Sequence, residues 1–585
     1  MNDARQHSVS KPWLPFIWAG LLWICGPPVG LWPLCFVAWI PLLLCVGSTL
    51  RLRWIWIAAT AYWLLSLQGL RHAHPLMFLP WLALSAYLGI YPVVWMGLLR
   101  WLTGRESRPW LGSIQQGLVA ACLWVGLEWI RNHFATGISV LMAGHALGEV
   151  PILVQIADVF GTYGVSFLVI ATNAWLLGIG IAPRTANSRR RMLANAFAIL
   201  LLLSCVMAYG HHRLQEPIAP GRTRFLLLGR DEQTEYAPDL KRDQRIFEAY
   251  RDQMVRACAS SQETIDAVVW PESMFGGGNI WYSIEENLQV PPEAIGPDGR
   301  PLTKEQMQRV LQAEQFLFEN RSRSILAECQ QKGSGLFNEQ ESKKRPDPFF
   351  SPAMIVGCGV LSYGDRVRQH SGVLSIDQEG RVADWYAKTH LVLFGETVPL
   401  VKSVPIIRDM IPPGFGLDHG TQVKTFQVGT SLVLPNLCIE TAVERTVMNQ
   451  MRTLLKRESP LPDVVVSLTN DAWFDHSAVV DHHLRCAQLV AVASRRPILS
   501  SANGGPTAWI DSAGRIVTRL DGPTAGEIVA VPDIDPRASF YVRRGAVFAG
   551  ILGWGTAGLI VLELGQRFRL NRLLRRSPPG TQNVP

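Results

Sequence analysis

No CxxC pair and no Cys/His run with ligand spacing occurs among the five cysteines between residues 211 and 545, which are Cys258, Cys329, Cys358, Cys438 and Cys486. A structural zinc site of standard pattern is therefore not expected there. No internal repeat or low-complexity tract is evident. The net charge of +8 is not gathered into a basic face, so no nucleic-acid partner is expected. The first apolar run shows no small-residue cleavage site and leads into further runs, which argues against a removable signal.

What the chain has in excess is apolar length. Its mean hydropathy is +0.14 and it carries 21 Trp in 585 residues, unusual for a purely soluble protein. The apolar residues cluster before about residue 210 and again after about 546. Seven candidate spans precede the middle segment, at about 13–29, 31–50, 54–70, 77–99, 116–130, 161–182 and 192–210, and one follows at 547–564. Most approach the ~20 residues needed to cross a hydrocarbon core.

Arg and Lys mark alternate loops: Arg5 and Lys11; Arg51 and Arg53; Arg100, Arg105 and Arg108; Arg184 and Arg189 to Arg191; and Arg567, Arg569, Arg572, Arg575 and Arg576. With eight crossings all lie on one side, the cytoplasmic one by the positive-inside rule. The expected domains are thus a transmembrane domain at 1–210, a domain on the opposite side at 211–545, a transmembrane helix at 546–566 and a basic cytoplasmic tail at 567–585.

Cysteines in or beside the spans, Cys25, Cys35, Cys45, Cys122 and Cys205, read as packing. The odd count in the middle segment leaves at least one thiol unpaired in an oxidising compartment.

The middle segment alternates strand-like runs (224–228, 267–270, 353–360, 371–376, 431–437, 463–468, 498–501 and 507–510) with helical patterns (239–258, 440–457 and 482–494). Continuously apolar runs such as DVVVSL are those of strands covered on both faces, which predicts an α/β sandwich of sheets flanked by helices. Residues 276–352 break the rhythm and read as an insertion, either solvated or folded as a lid over a site.

Cys438, in LPNLCIETAVER, stands between a strand and a helix, where helix amides can stabilise a thiolate or an oxyanion. A cysteine nucleophile also needs a base, and its carbonyl target needs a cation or amide donors. Glu272 in VVWPESMF and Lys388 in WYAKTHLVLFGETVPL, each beside a strand end, can supply these; otherwise they are solvated charges.

WPES, YAKTHLVLFGETVPL, NLCIE and SLTNDAWF resemble, in order, the Glu, Lys and Cys motifs of the nitrilase, or carbon–nitrogen hydrolase, superfamily. With spans before and after, the chain resembles the apolipoprotein N-acyltransferase branch over nearly its full length. The resemblance implies a polytopic α-helical membrane domain plus a four-layer αββα domain on the periplasmic side of the bacterial cytoplasmic membrane, with both termini cytoplasmic. It implies ping-pong acyl transfer through a Cys438 thioester, from a phospholipid to the N-terminal diacylglyceryl-cysteine of an apolipoprotein. Glu272 would be the general base and Lys388 the oxyanion stabiliser, with Glu396 and Glu440 in supporting carboxylate positions. No cofactor or metal is implied.

Several positions depart from the family pattern. Ile439 replaces an aromatic residue, LLLGRDEQTEY replaces the segment after the first strand, VAVA at 490–493 replaces a charged element, and Ser500 replaces an arginine. Positive and negative partners have gone together, which is milder than losing one of them. The cluster FDHSAVVDHH invites a metal reading through His476, His482 and His483, but its spacing fits no standard zinc pattern, and His483 matches a structural histidine of the family. The altered segments keep two alternatives open: a membrane-tethered amidase or an acyltransferase with another acceptor, and a non-catalytic paralogue.

Overall fold

A computed structural model of the chain describes residues 11–103, 113–134, 137–180, 186–235, 239–261, 263–335, 351–392, 395–397 and 416–576. Arg5, Arg105, Arg108 and Arg184 of the basic loops, part of the 276–352 segment (336–350) and the tail from 577 lie outside these residues. The chain folds as two compact units: Met1–Ser66, Leu82–His211 and Arg544–Pro585 form one, and Leu67–Trp81 with His212–Arg543 the other.

In the first unit, proline and glycine decide where apolar runs become helices. The run at 13–29 stops as the helix Leu14–Cys25, ahead of Gly26, Pro27 and Pro28, and the run at 31–50 breaks into Trp32–Phe36 and Ile40–Leu43. Among the described residues, four stretches are long and apolar enough to cross a membrane: Pro75–Leu102, Thr162–Gly180, Ser188–Gln215 and Val547–Phe568. The eight expected crossings are therefore not all continuous helices of spanning length. Broken backbone inside an apolar unit needs internal partners. Asn173 supplies them: its Oδ1 accepts from Trp39 N (2.9 Å) and its Nδ2 donates to Cys35 O (2.7 Å). Trp39 in turn packs against the rings of Trp18, Trp95 and Trp124.

The second unit holds two sheets. One has the order β13-β1-β2-β4-β5-β6 with β3 paired to β4, the other β12-β11-β10-β9-β8-β7. The strands of the first are β1 (Phe225–Gly229), β2 (Ala267–Val269), β3 (Trp281–Ile284), β4 (Ala353–Tyr363), β5 (Val367–Ile376), β6 (Val382–Ala387) and β13 (Gly526–Ala530). Those of the second are β7 (Phe426–Val428), β8 (Ser431–Leu437), β9 (Val464–Asn470), β10 (Ile498–Asn503), β11 (Thr507–Ile510) and β12 (Ile516–Leu520). Each sheet has a parallel centre, β1-β2-β4 in one, where β3 also joins β4 in parallel, and β8-β9-β10 in the other, with antiparallel strands at the edges of both.

Alternation of side chains places these layers. Phe225 and Leu227 of β1 face a core shared with Val433, Leu437, Val466 and Leu499 of the other sheet, while Leu226 and Leu228 face outward to a second core. That second core is completed by the helices Leu240–Ser260 and Lys304–Gly335, and the helices Glu444–Lys456 and Ala478–Ser494 accompany the other sheet. The result is helices outside two facing sheets, as the apolar strands predicted. Ser501 of β10 fastens the sheets together, donating to Leu228 O (2.6 Å) and Val269 O (3.0 Å).

Residues 304–335 are not a solvated arm. Phe318, Ile325, Leu326 and Cys329 bury one face of this helix in the core over the first sheet, so it forms part of the outer helical layer. The segment 67–81, expected as the end of the span 54–70, a short loop and the start of the span 77–99, groups with this unit. A Cβ on Gly69 would collide with Ser477, and His72 lies 3.8 Å from Asp475.

Candidate active site

Strand ends build the site. In parallel sheets ligands gather at the carboxyl ends of strands, where loops lead away from a fixed scaffold. Glu272 follows β2, Lys388 follows β6 and Cys438 follows β8.

Glu272 is held close to its own sheet because Gly357 of β4 has no side chain; a Cβ there would lie 2.6 Å from Glu272 Cα. Its Oε1 accepts from Ser371 Oγ (3.1 Å) and from Lys388 Nζ (3.1 Å). Lys388 is 1 % exposed and also donates to Glu396 Oε1 (2.6 Å), while Glu396 Oε2 accepts from Val392 N (2.8 Å). The three expected charges thus meet, two carboxylates on one ammonium. Burial alone lowers the pKa of Lys388, yet Glu272, Glu396 and Cys438 together raise it well above the usual lysine value. Burial raises the pKa of Glu272; Lys388 opposes the rise and Glu396 adds to it.

Cys438 has φ 43° and ψ −108°, a left-handed setting rare for a residue with a Cβ. Such strain persists only where the surroundings over-determine it. Its amide donates to Leu468 O (2.9 Å), and its carbonyl accepts from Thr441 N (3.2 Å), Thr441 Oγ1 (2.9 Å) and His483 Nε2 (2.9 Å). The helix that follows, Ile439–Ala442, is only four residues long. Burial and the charge of Glu272 raise the Cys438 pKa well above the usual thiol value, against the pull of Lys388. At rest the group is a thiol, and its activation requires a base.

Glu440 is fully buried and joins the two halves of the site. Its Oε1 accepts from Tyr386 Oη (2.7 Å), Thr389 N (2.7 Å), Thr389 Oγ1 (2.6 Å) and His390 N (3.1 Å), and its Oε2 accepts from Leu437 N (2.9 Å). One carboxylate therefore ties the loop carrying Lys388 to the turn carrying Cys438. Burial nevertheless raises its pKa, the donors from Thr389 and Tyr386 opposing.

Of the three histidines weighed as metal ligands, His476 pairs with Asp231 (3.1 Å), His482 is buried, and His483 turns to Cys438. They do not converge. Among the described residues Cys438, Asp471 and His483 bring ligand-type atoms within 4.8 Å of one another, but both ring nitrogens of His483 are engaged. Nε2 meets Cys438 O, and Nδ1 lies 3.4 Å from Asp471 Oδ1. Burial disfavours charge on His483, but the Asp471 carboxylate and the Cys438 carbonyl outweigh it and raise its pKa.

Ser371, Tyr386, Thr389, Thr441 and Asp471 were not anticipated. Tyr386 and Thr389 flank Lys388 in YAKTH, and Asp471 lies in NDAWF, so motif position was their available signal. Ser500, at the departed arginine position, lines a small pocket with Thr441, Ser467, Asp471 and His483. Val490, Ala491, Val492 and Ala493 are buried, so apolar packing occupies the place of the departed charged element.

Comparison with known proteins shows the family of the chain. Residues 18–175 match the family model described as the apolipoprotein N-acyltransferase N-terminal domain. An apolipoprotein N-acyltransferase of Rhodopirellula baltica is 47% identical over 549 residues, covering 92% of this chain and 94% of the relative. One from Geobacter metallireducens is 27% identical over 576 residues, covering 94% of each. Among solved structures, an amidase of the nitrilase superfamily from Nesterenkonia is 15% identical and covers 57% of this chain and 98% of its own, with a TM-score of 0.33. With almost half of its residues shared across nearly the whole length of the Rhodopirellula relative, the chain belongs to the apolipoprotein N-acyltransferase family.

Proposed function

We propose that the chain transfers an acyl group from a phospholipid, through a thioester on Cys438, to the α-amine of the N-terminal diacylglyceryl-cysteine of apolipoproteins. The observation that carries the reading is the buried Lys388 ammonium held between Glu272 and Glu396 and electrostatically coupled to the Cys438 thiol. Glu272, with its raised pKa, takes the thiol proton as Sγ attacks the donor ester carbonyl. Lys388 stabilises the oxyanion, a task for which its retained proton suits it. Glu272 then returns the proton to the departing lysophospholipid alkoxide, leaving the acyl thioester. In the second half the acceptor amine attacks the thioester carbonyl, Glu272 removes a proton from the nitrogen, and Cys438 leaves and regains its proton.

Both substrates are lipid-anchored, so a membrane-held enzyme meets them at high local concentration. The charge pattern of the loops supports a catalytic segment at 211–545 on the periplasmic side of the cytoplasmic membrane, with both termini cytoplasmic. Alkaline-phosphatase fusions after residue 210 and at the C-terminus test this: the first is expected to be active and the second inactive.

Intact-protein mass spectrometry of the detergent-purified chain mixed with phospholipid tests the chemistry. A hydroxylamine-labile acyl adduct is expected on the native chain and none on Cys438→Ala. Absence of the adduct from a folded native chain defeats the proposal. Release of free fatty acid with no acceptor present points instead to a hydrolase.

A further inference from the structure

Two thiols outside the catalytic cluster lie together. Cys258 stands near the end of helix 240–260 and Cys329 near the end of helix 304–335. Cys329 is buried in the core between these helices and the first sheet, and Cys258 packs against the same core partly exposed. The helices pack side by side over the first sheet. Arg321 lies over the Phe247 ring (3.2 Å), and further along both helices the Cys258 thiol neighbours the Cys329 thiol.

The geometry points to an intrachain disulfide between Cys258 and Cys329 that staples helix 304–335 to helix 240–260. It rests on the reading above that places this unit in an oxidising compartment, where disulfides persist. Neighbouring thiols on two packed helices can close to the about 2 Å of an S–S bond.

The oxidant is a disulfide donor of the thiol–disulfide oxidoreductase class. The partly exposed Cys258 gives up its proton as it attacks one donor sulfur, and the other donor sulfur leaves and takes up a proton. Cys329 then attacks the Cys258 sulfur of the mixed disulfide and displaces the first donor sulfur. The chain gives up two hydrogen atoms and the donor becomes a dithiol.

The neighbouring chemistry gives the link a purpose. Arg321 of the stapled helix donates to Gly276 O (2.7 Å), in the loop that leaves Glu272, so fixing the helix steadies the loop behind the general base. Pairing also removes Cys258. In this unit every other thiol but Cys438 is buried, so the disulfide leaves no accessible thiol to capture the nucleophile as a mispaired link.

The test uses the full chain in the membranes of a diderm host. Free thiols are blocked with N-ethylmaleimide before lysis, and peptides are mapped without reduction. The expected result is a linked peptide joining Cys258 and Cys329, lighter by two hydrogen atoms than the reduced pair, and absent from Cys258→Ser. Purified chain reduced with dithiothreitol is expected to regain the link with oxidised glutathione. Reductant is expected to lower the Tm of the native chain and not that of Cys258→Ser, and thioester formation is expected in both.

Alkylation of both thiols in cells whose phosphatase fusion reports an external catalytic unit overturns the disulfide. Alkylation together with a cytoplasmic report overturns the orientation, and the disulfide with it. Failure of the purified chain to re-form the link overturns the geometry.

Discussion

The two sheets of the second unit are built alike and contribute differently. Each has three consecutive parallel strands at its centre and antiparallel strands at its edges, the first sheet adding β3 in parallel on β4. The sheet containing β2 and β6 delivers the charges, Glu272 and Lys388, already satisfied by each other and by Ser371 and Glu396. The sheet containing β8 delivers a neutral thiol on a strained turn, held by hydrogen bonds to its backbone. Electrostatic order lives on one side of the seam and conformational strain on the other. Glu440 couples them, since a single carboxylate accepts donors from both. A charge network can be rebuilt by a conservative residue more readily than a strained turn, whereas a seam needs its connecting group in place.

That contrast can be broken in graded steps. Removing the nucleophile, Cys438→Ala, is expected to lower acyl transfer by roughly 10⁴-fold or more, because no other group forms the covalent intermediate; transfer within tenfold of native refutes the thioester route. On the charged side, Lys388→Met is expected to cost roughly 10²–10³-fold in single-turnover acylation by removing the oxyanion's cation. Glu272→Gln is expected to cost roughly 10²–10⁴-fold. Glu272 must be ionised to accept the thiol proton, and burial raises its pKa, so native acylation should fall as pH drops through a value above the ordinary carboxylate range. A flat acid limb in the native enzyme contradicts that assignment.

Cutting the connection is a milder perturbation. Glu440→Gln keeps the shape but turns one acceptor oxygen into a donor facing amide and hydroxyl donors, an expected loss of about 1–3 kcal/mol in stability. Because Lys388 and Cys438 then drift relative to each other, acylation should slow roughly 10–100-fold with donor binding little changed; an unchanged kcat leaves the seam argument without support. Gly357→Ala crowds Glu272 from behind. It should slow acylation by roughly tenfold while leaving the Lys388 pair formed.

The smallest effect expected is electrostatic. The native pKa of His483 is raised, so the stability its charge contributes is fully present below the ordinary imidazole value of about 6.5. It is lost as pH rises through the raised native value. The Tm difference between the native chain and His483→Gln should therefore narrow toward alkaline pH, and a constant difference speaks against a charged imidazolium at the turn.

Apolar runs made β8, β9 and β10 legible from residues alone, β8 with the expected bounds and the other two with bounds shifted by one or two positions. Strands β6, β7, β12 and β13 were not legible. They are short or lie outside the parallel centres, and runs such as VADWYA and IVTRL mix polar and apolar residues. The start of the helix 304–335 carries a sequence signal, Thr303 with Gln306, which the structure contains as a capping box. Its place in the core was not legible, because its apolar residues are widely spaced and much of its surface is polar.

By itself the sequence determined which groups were available for the chemistry and the order in which they arrive, a carboxylate, an amine and a thiol, each after a run stiff enough to be a strand. It also determined that much of the chain prefers lipid, since hydropathy is additive along the residues. Only the tertiary structure decided that Glu272, Lys388 and Glu396 share one charge network. It alone made the nucleophile a half-buried thiol of raised pKa and turned Glu440 and His483 toward the chain carrying Cys438. Those outcomes depend on burial and on contacts between residues tens of positions apart. Both arise when two sheets close against each other, and neither is a property of any local stretch.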